Sequence, residues 1–240
     1  MSNEEFSQGF DMAVNSYAVA PGFGNDDTFQ ALVFNEYEKS LWLTRAQKEI
    51  VKAIYTGKNP DGEAYEETEE KRRYLAPLNS EDTLEPITDS RFMPTGMGST
   101  SNFFELPDDL MYITYEAVHF TGGKCDGTDV MQVIPKTQDE YHRLRKNPFR
   151  GTGRRRAIRL DMADNIVEVI CDYVVSDYYL RYLRRPRPII LEDLPDGITI
   201  DRLSSELPCE LPEELHSEIL DRAVALAVQS KGYNRLESNS

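Results

Sequence analysis

The chain closes on a stripe that has to be buried. Leu215, Ile219, Ala223, Leu226 and Ala227 recur at spacings of three and four, which places them on one wide helical face. Pro212 is expected at the first helical position, the acidic pair Glu213–Glu214 in the first turn, and Lys231–Gly232 at the close. A single amphipathic helix is marginal in water, so its stripe must find other elements to cover it.

Candidates for that cover lie at the opposite end. Phe6, Phe10, Val14 and Tyr17 predict a helix over residues 4–17, ended by the turn-forming run PGFGNDD (21–27). A second pattern runs from Phe29 to Tyr55. Within it Thr44 is read as the N-cap of Arg45–Tyr55, with Gln47 completing a capping box, and Gly57 as the residue past the end. Residues 58–62 (KNPDG) form a turn. Ala64–Leu75 is expected to be a charged helix, with Glu67 and Lys71 one turn apart.

The middle of the chain changes period. Residues 77–102 are rich in Pro, Ser, Thr and Gly and are read as a loop or extended arm. Beyond Phe103, β-branched and aromatic runs bounded by turn residues predict strands at 111–120, 130–134, 156–161, 166–171 and 178–183. Thr137–Lys146 is expected to be a short helix between two of them. The run RRPRPIILEDLPDG (184–197) is read as an edge strand leaving the sheet. The expected fold is therefore α+β: a helical domain from both chain ends, 1–76 with 205–240, and a mainly β insertion over 77–204.

The 240 residues carry a net charge of −15, which argues against a protein that coats nucleic acid. The distribution is uneven. Residues 141–190 hold 12 bases and 5 acids, whereas every other part of the chain is acidic. Within that segment Arg150, Arg154, Arg155 and Arg156 are the candidate residues for a contact between subunits, since complementary patches steer assembly and fix register. The acidic start MSNEEFSQGF lacks the regions of a signal peptide, and no apolar run is long enough for a membrane span. Synthesis in a cytoplasm is expected, with Cys125, Cys171 and Cys209 reduced.

Catalytic constellations are not evident. His119, His142 and His216 form no metal-ligand spacing. His119 and Cys125 could pair as base and nucleophile, but the sequence places no orienting group beside them. GTGRRR (151–156) lacks the Lys-Ser/Thr of a phosphate loop. No catalytic residue, cofactor or metal is expected.

Three segments resemble phage head-to-tail adaptor and tail-tubular proteins: LTRAQKEI (43–50), LPDDL (106–110) and LPEELH (211–216) followed by Ile219, Ala223 and Ala227. A broader likeness, carried by FNEYEKSLWLTRAQKEIV (34–51), GKNPDGEAYEETEEKRRYL (57–75), PKTQDEYHRLRKNPFRG (135–151) and YLRRPRPIILEDLPDG (182–197), is to a structural protein of crAss-like Bacteroides phages. Residues 84–103 depart from that pattern. The resemblance implies a ring-forming virion subunit of the neck or tail, synthesised in the host cytoplasm. It implies partners too: further copies of itself, a portal protein and other tail ring proteins, with the genome passing through a channel without specific binding and no membrane. Two other classes compete with this expectation, an internal cargo protein ejected with the genome and a host-acting enzyme or regulator.

Overall fold

A computed structural model describes residues 1–18, 33–88, 101–121, 129–144, 152 and 156–237. Its helices are α1 (Asn3–Ala18), α2 (Glu36–Thr56), α3 (Glu69–Tyr74), α4 (Gln138–Leu144) and α5 (His216–Glu237). Its strands are β1 (Asn79–Leu84), β2 (Ser101–Glu105), β3 (Leu110–Thr121), β4 (Asp129–Lys136), β5 (Arg156–Asp161), β6 (Ile166–Ile170) and β7 (Val174–Arg184). The chain divides into two compact units, Met1–Leu78 with Pro186–Ser240, and Asn79–Arg185.

The first unit is helical. α1 buries Phe6, Phe10 and Val14 as its spacing predicts, and α5 buries Leu215, Ile219, Ala223, Leu226 and Ala227. α5 packs on both α1 and α2. At the α1 crossing Gly9 allows a close approach: a Cβ there would lie 2.9 Å from Leu220 Cδ2, so that side chain would have to shift. α1 and α2 are also tied through Lys39. Its buried ammonium reaches Asp11 at 2.7 Å, Glu36 at 2.8 Å and the Ser7 hydroxyl at 3.0 Å.

α2 starts nine residues before the expected Arg45. The capping box is built by Asn35 and Glu38, whose side chains each accept the other's backbone N–H. Thr44 is therefore not a cap. It is buried within the helix, where its hydroxyl donates to the Ile189 carbonyl and accepts the Ile189 N–H. Ser40 likewise accepts the Leu191 N–H. These two contacts also explain why residues 186–191 are not an edge strand. Pro186 and Pro188 have no N–H, the Ile189 and Leu191 N–H groups are taken by hydroxyls of α2, and those of Arg187 and Ile190 donate to Glu210 and to the Leu207 carbonyl. Past α2, Gly57 caps the end in the left-handed conformation at φ 71°, as expected. The charged helix is shorter than its reading. It begins after the N-cap Thr68, Glu67 accepts the Ala64 N–H, and Lys71 pairs with Asp61. At the chain's end, Pro212 precedes a 3-10 turn (Glu213–Leu215) that leads into α5, and the helix continues past Gly232.

The second unit is a seven-stranded sheet in the order β1-β7-β3-β4-β5-β6-β2. Every neighbouring pair is antiparallel except β4 and β5. That parallel pair needs a crossover, and α4 lies in it. Ile87, just after β1, bridges Phe103 of β2, so strands at opposite ends of the order meet and the sheet curls on itself. Three register shifts between β3 and β7 serve the bending. Inside the curl lie Phe104, Val118, Met131, Val169, Tyr178 and Leu180. On the outside, Tyr141 of α4 covers Ile158, Leu160 and Ile170. The reading of 77–102 as loop is corrected at both ends, because Asn79–Leu84 pairs along β7 and Ser101–Glu105 along β6. The segment NSEDTL gave no apolar alternation because its side chains are mostly exposed.

Candidate assembly surface

Of the four arginines singled out, Arg150, Arg154 and Arg155 lie outside the described residues. Arg156 is exposed at the first position of β5, opposite Gln132. The neighbouring base in the segment, Arg159, points the other way, into the curl. There its Nη1 donates to Glu116 Oε2 at 2.9 Å, and the Tyr178 hydroxyl donates to the same oxygen at 2.6 Å. Burial raises the Glu116 carboxyl above its ordinary range, against the pull of Arg159 and Tyr178. Charge counting alone had treated every arginine of this segment as surface.

Asp177 stands beside His119 on the adjacent strand, its carboxylate 2.5 Å from Nδ1. The orienting group that was missing from the sequence is therefore present, and Cys125 lies outside the described residues. Cys171 is buried and donates to the Tyr173 carbonyl; burial pushes its thiol up, and burial likewise pushes Cys209 up to about 11. His216 is buried against the Leu211 carbonyl, and His142 lies on α4. Among the described residues no group of His, Cys, Asp and Glu could hold a metal ion, and no helix is long and apolar enough to cross a membrane.

Geometry points instead to the outer face of β1, β7, β3 and β4. Alternation along β3 turns Glu116 and Val118 inward, so Tyr115, Ala117 and His119 share the opposite face. Tyr115 is 46% exposed there, Val130 47% and Val174 70%. Tyr115 packs edge-on to Tyr179 at 6.2 Å. The Arg181 Nε donates to the Tyr179 hydroxyl at 2.7 Å, and that hydroxyl donates to Glu81 at 2.8 Å. The arginine also lies 5.7 Å from the tyrosine ring centre. Exposed tyrosine and arginine on a rigid sheet match the composition of protein contact surfaces. Arg181 is already matched by Glu81, so the face offers little net charge to a phosphate. No direct signal for this face exists in the sequence, because Tyr115 turns outward and Glu116 inward, the reverse of the usual pattern.

The family model for phage tail ring protein 3/4 matches residues 1–239. The chain is 40% identical over 235 residues to ring protein 3 of Bacteroides phage crAss001, covering 96% of both proteins. It is 32% identical over 238 residues to ring protein 4/5 of that phage, covering 95% of this chain and 92% of the relative.

Proposed function

The chain belongs to the phage tail ring protein 3/4 family and is a structural ring protein of the virion, and we propose that it forms a homo-oligomeric ring in the head-to-tail connector. In that position it bridges the portal to the tail and stacks with other ring proteins around a channel for the genome. The helical portion serves as an adaptor-like body and the β portion as an insertion carried by it. The observation that carries this reading is the outer face of the sheet, where Tyr115 is exposed beside an ordered Tyr179–Arg181–Glu81 array and Val130 and Val174 are exposed farther along the same face. Apolar side chains fixed on a rigid element are costly to leave in water and suit burial against a neighbour.

An acidic lumen suits the role, because walls of like sign to phosphate let DNA pass without holding it. Arg150, Arg154, Arg155 and Arg156 supply a complementary contact to an acidic neighbour. Electron cryomicroscopy of the intact particle tests the placement: a closed ring of this chain between portal and tail is expected, and its location on the capsid surface or inside the head would overturn the reading. Reversal of the arginines, as Arg154→Glu with Arg155→Glu and Arg156→Glu, should reduce incorporation into particles while leaving the fold intact. Normal incorporation would remove those residues from the interface.

A further inference from the structure

The first unit carries two exposed faces of opposite sign on different helices. On α2, Leu41, Arg45, Lys48 and Lys52 follow one another at four, three and four residues, so they form a single outward ridge. Leu41 is 42% exposed, and the Arg45 guanidinium lies 5.7 Å from the ring centre of Trp42. Arg45 and Lys48 reach Glu49 and Asp201 through ion pairs at the surface, and Lys52 has no ion-pair partner among the described residues. Such exposed pairs contribute little and exchange readily for a better partner.

The second face is the start of α5. Glu214, Glu218 and Asp221 are exposed there without an ion-pair partner among the described residues. Arg222, which could neutralise them, is committed to Glu49, with Nε and Nη2 at 2.9 and 2.7 Å from one carboxylate oxygen. Glu218 and Asp221 also border a cleft of about 520 Å³ whose lining mixes Glu49, Ile50 and Ala53 of α2 with the cations Lys58 and Arg222, so the acids stand at the rim of a concavity that can admit side chains. The negative field reaches α3. Tyr74 is pushed up to about 12 by its hydrogen bond to Glu70, by burial, and by the charges of Glu70, Glu214 and Asp61.

We infer that the basic ridge of α2 in one copy seats on the acidic face of α5 in the next copy, as the head-to-tail contact that propagates the ring. This deepens the ring reading and rests on it. The match is of charge and composition. A ridge of three cations with Leu41 beside them meets an exposed row of three acids, Glu214, Glu218 and Asp221, and a contact between unlike faces repeats from copy to copy until it closes.

Two variants reverse one face each: Lys48→Glu with Lys52→Glu, and Glu218→Lys with Asp221→Lys. All four positions are at the surface, and circular dichroism with thermal melting confirms folding before assembly is scored. Each variant, supplied in place of the wild-type chain during particle formation, should be incorporated at least about tenfold less. The chain bearing all four substitutions has its signs exchanged and should recover incorporation to within about twofold. Normal incorporation of either single-face variant overturns the inference, as does failure of the exchanged chain to recover, which would assign one face to a different protein. A wild-type chain that never appears as a ring would instead defeat the ring reading itself.

Discussion

Glu116 is a place where burial and pairing oppose each other, and their balance has a measurable sign. At 2.9 Å from Arg159 the attraction between unit charges is about 6 kcal/mol at an effective dielectric of 20. Removing two ions from water costs several kcal/mol for each, so the pair is close to break-even. The carboxyl is raised above its ordinary 4.5, with burial the largest cause, so desolvation wins over Arg159. A proton on Glu116 is then held more tightly in the folded chain than in the unfolded one. The stability it contributes is full below 4.5 and is lost as pH rises through the folded value.

Glu116→Gln resembles the protonated acid and keeps an oxygen for Tyr178 and Arg159. At neutral pH it should lie within about 1 kcal/mol of the wild type, or above it, because it removes a desolvated charge while Asp161, 3.0 Å from the Arg159 Nε, still faces the guanidinium. Glu116→Leu strands the Arg159 guanidinium and the Tyr178 hydroxyl together, and should cost about 3–5 kcal/mol. Asp161, 3.0 Å from the Arg159 Nε but well exposed, places that cost toward the lower end. Urea unfolding followed by far-ultraviolet circular dichroism reads both variants across pH. At about 1–3 kcal/mol per molar urea, the leucine variant should lose about 1–3 M in its midpoint. A glutamine variant about 3 kcal/mol less stable at neutral pH, with a deficit that grows as pH rises, would refute the reasoning and mean that the ion pair dominates.

The remaining expectations concern the helical unit and the surface. Ile219→Ala and Leu226→Ala remove buried methyl groups of α5 and should each cost about 2–5 kcal/mol; unchanged denaturation midpoints would take α5 out of the core. Lys39→Met leaves Asp11 and Glu36 without their cation and should cost about 1–3 kcal/mol by the same assay. Burial lowers the Lys39 pKa but its bonds to Asp11 and Glu36 raise it further, for a net rise, so its contribution is full below 10.5 and is lost as pH climbs through the folded value. A wild type that gives up none of its advantage over Lys39→Met in alkaline solution would contradict that. Duplex DNA should show negligible affinity at physiological salt, because few phosphates could be neutralised per acid brought close; micromolar binding with a steep salt slope in a titration would make this a genome-anchoring component instead.

Much of this architecture is legible in the chain because periodicity reports burial. Ile219, Ala223 and Ala227 announce α5, and MYITYEAVHF announces β3, since in each case one face is dry. Legibility fails where tertiary contacts reassign a residue. Thr44 has the chemistry of a cap, and nothing local reveals that residues 189–191 will run across α2 and take its hydroxyl. Asn35 and Glu38 carry the same capping signature nine residues earlier, at the true start of α2, and there the first orphan N–H groups do need it. β1 was hidden for a different reason. A mostly exposed strand has no apolar alternation to display, and NSEDTL becomes a strand because β7 offers it a ladder. The outward face at Tyr115 was not legible, because the side of an alternating strand that carries its acid is ordinarily the wet one, and here Glu116 is buried on Arg159 and Tyr178.

Charge is the level at which sequence and structure differ most usefully. Counted along the chain, residues 141–190 are a basic island. In the fold that island is partly dismantled: Arg159 is spent inside the curl on Glu116, and Arg181 is bound to Tyr179 and Glu81. Fewer bases are thus free to meet a phosphate than the count suggests, while Glu214, Glu218 and Asp221 remain open. A surface so constituted is expected to repel DNA broadly, while the proposed ridge contact draws on a short run of cations, Arg45, Lys48 and Lys52, on α2. In the proposed ring, assembly and passage of the genome would place no conflicting demands on the same residues, because the long-range field would govern one and a few local contacts the other.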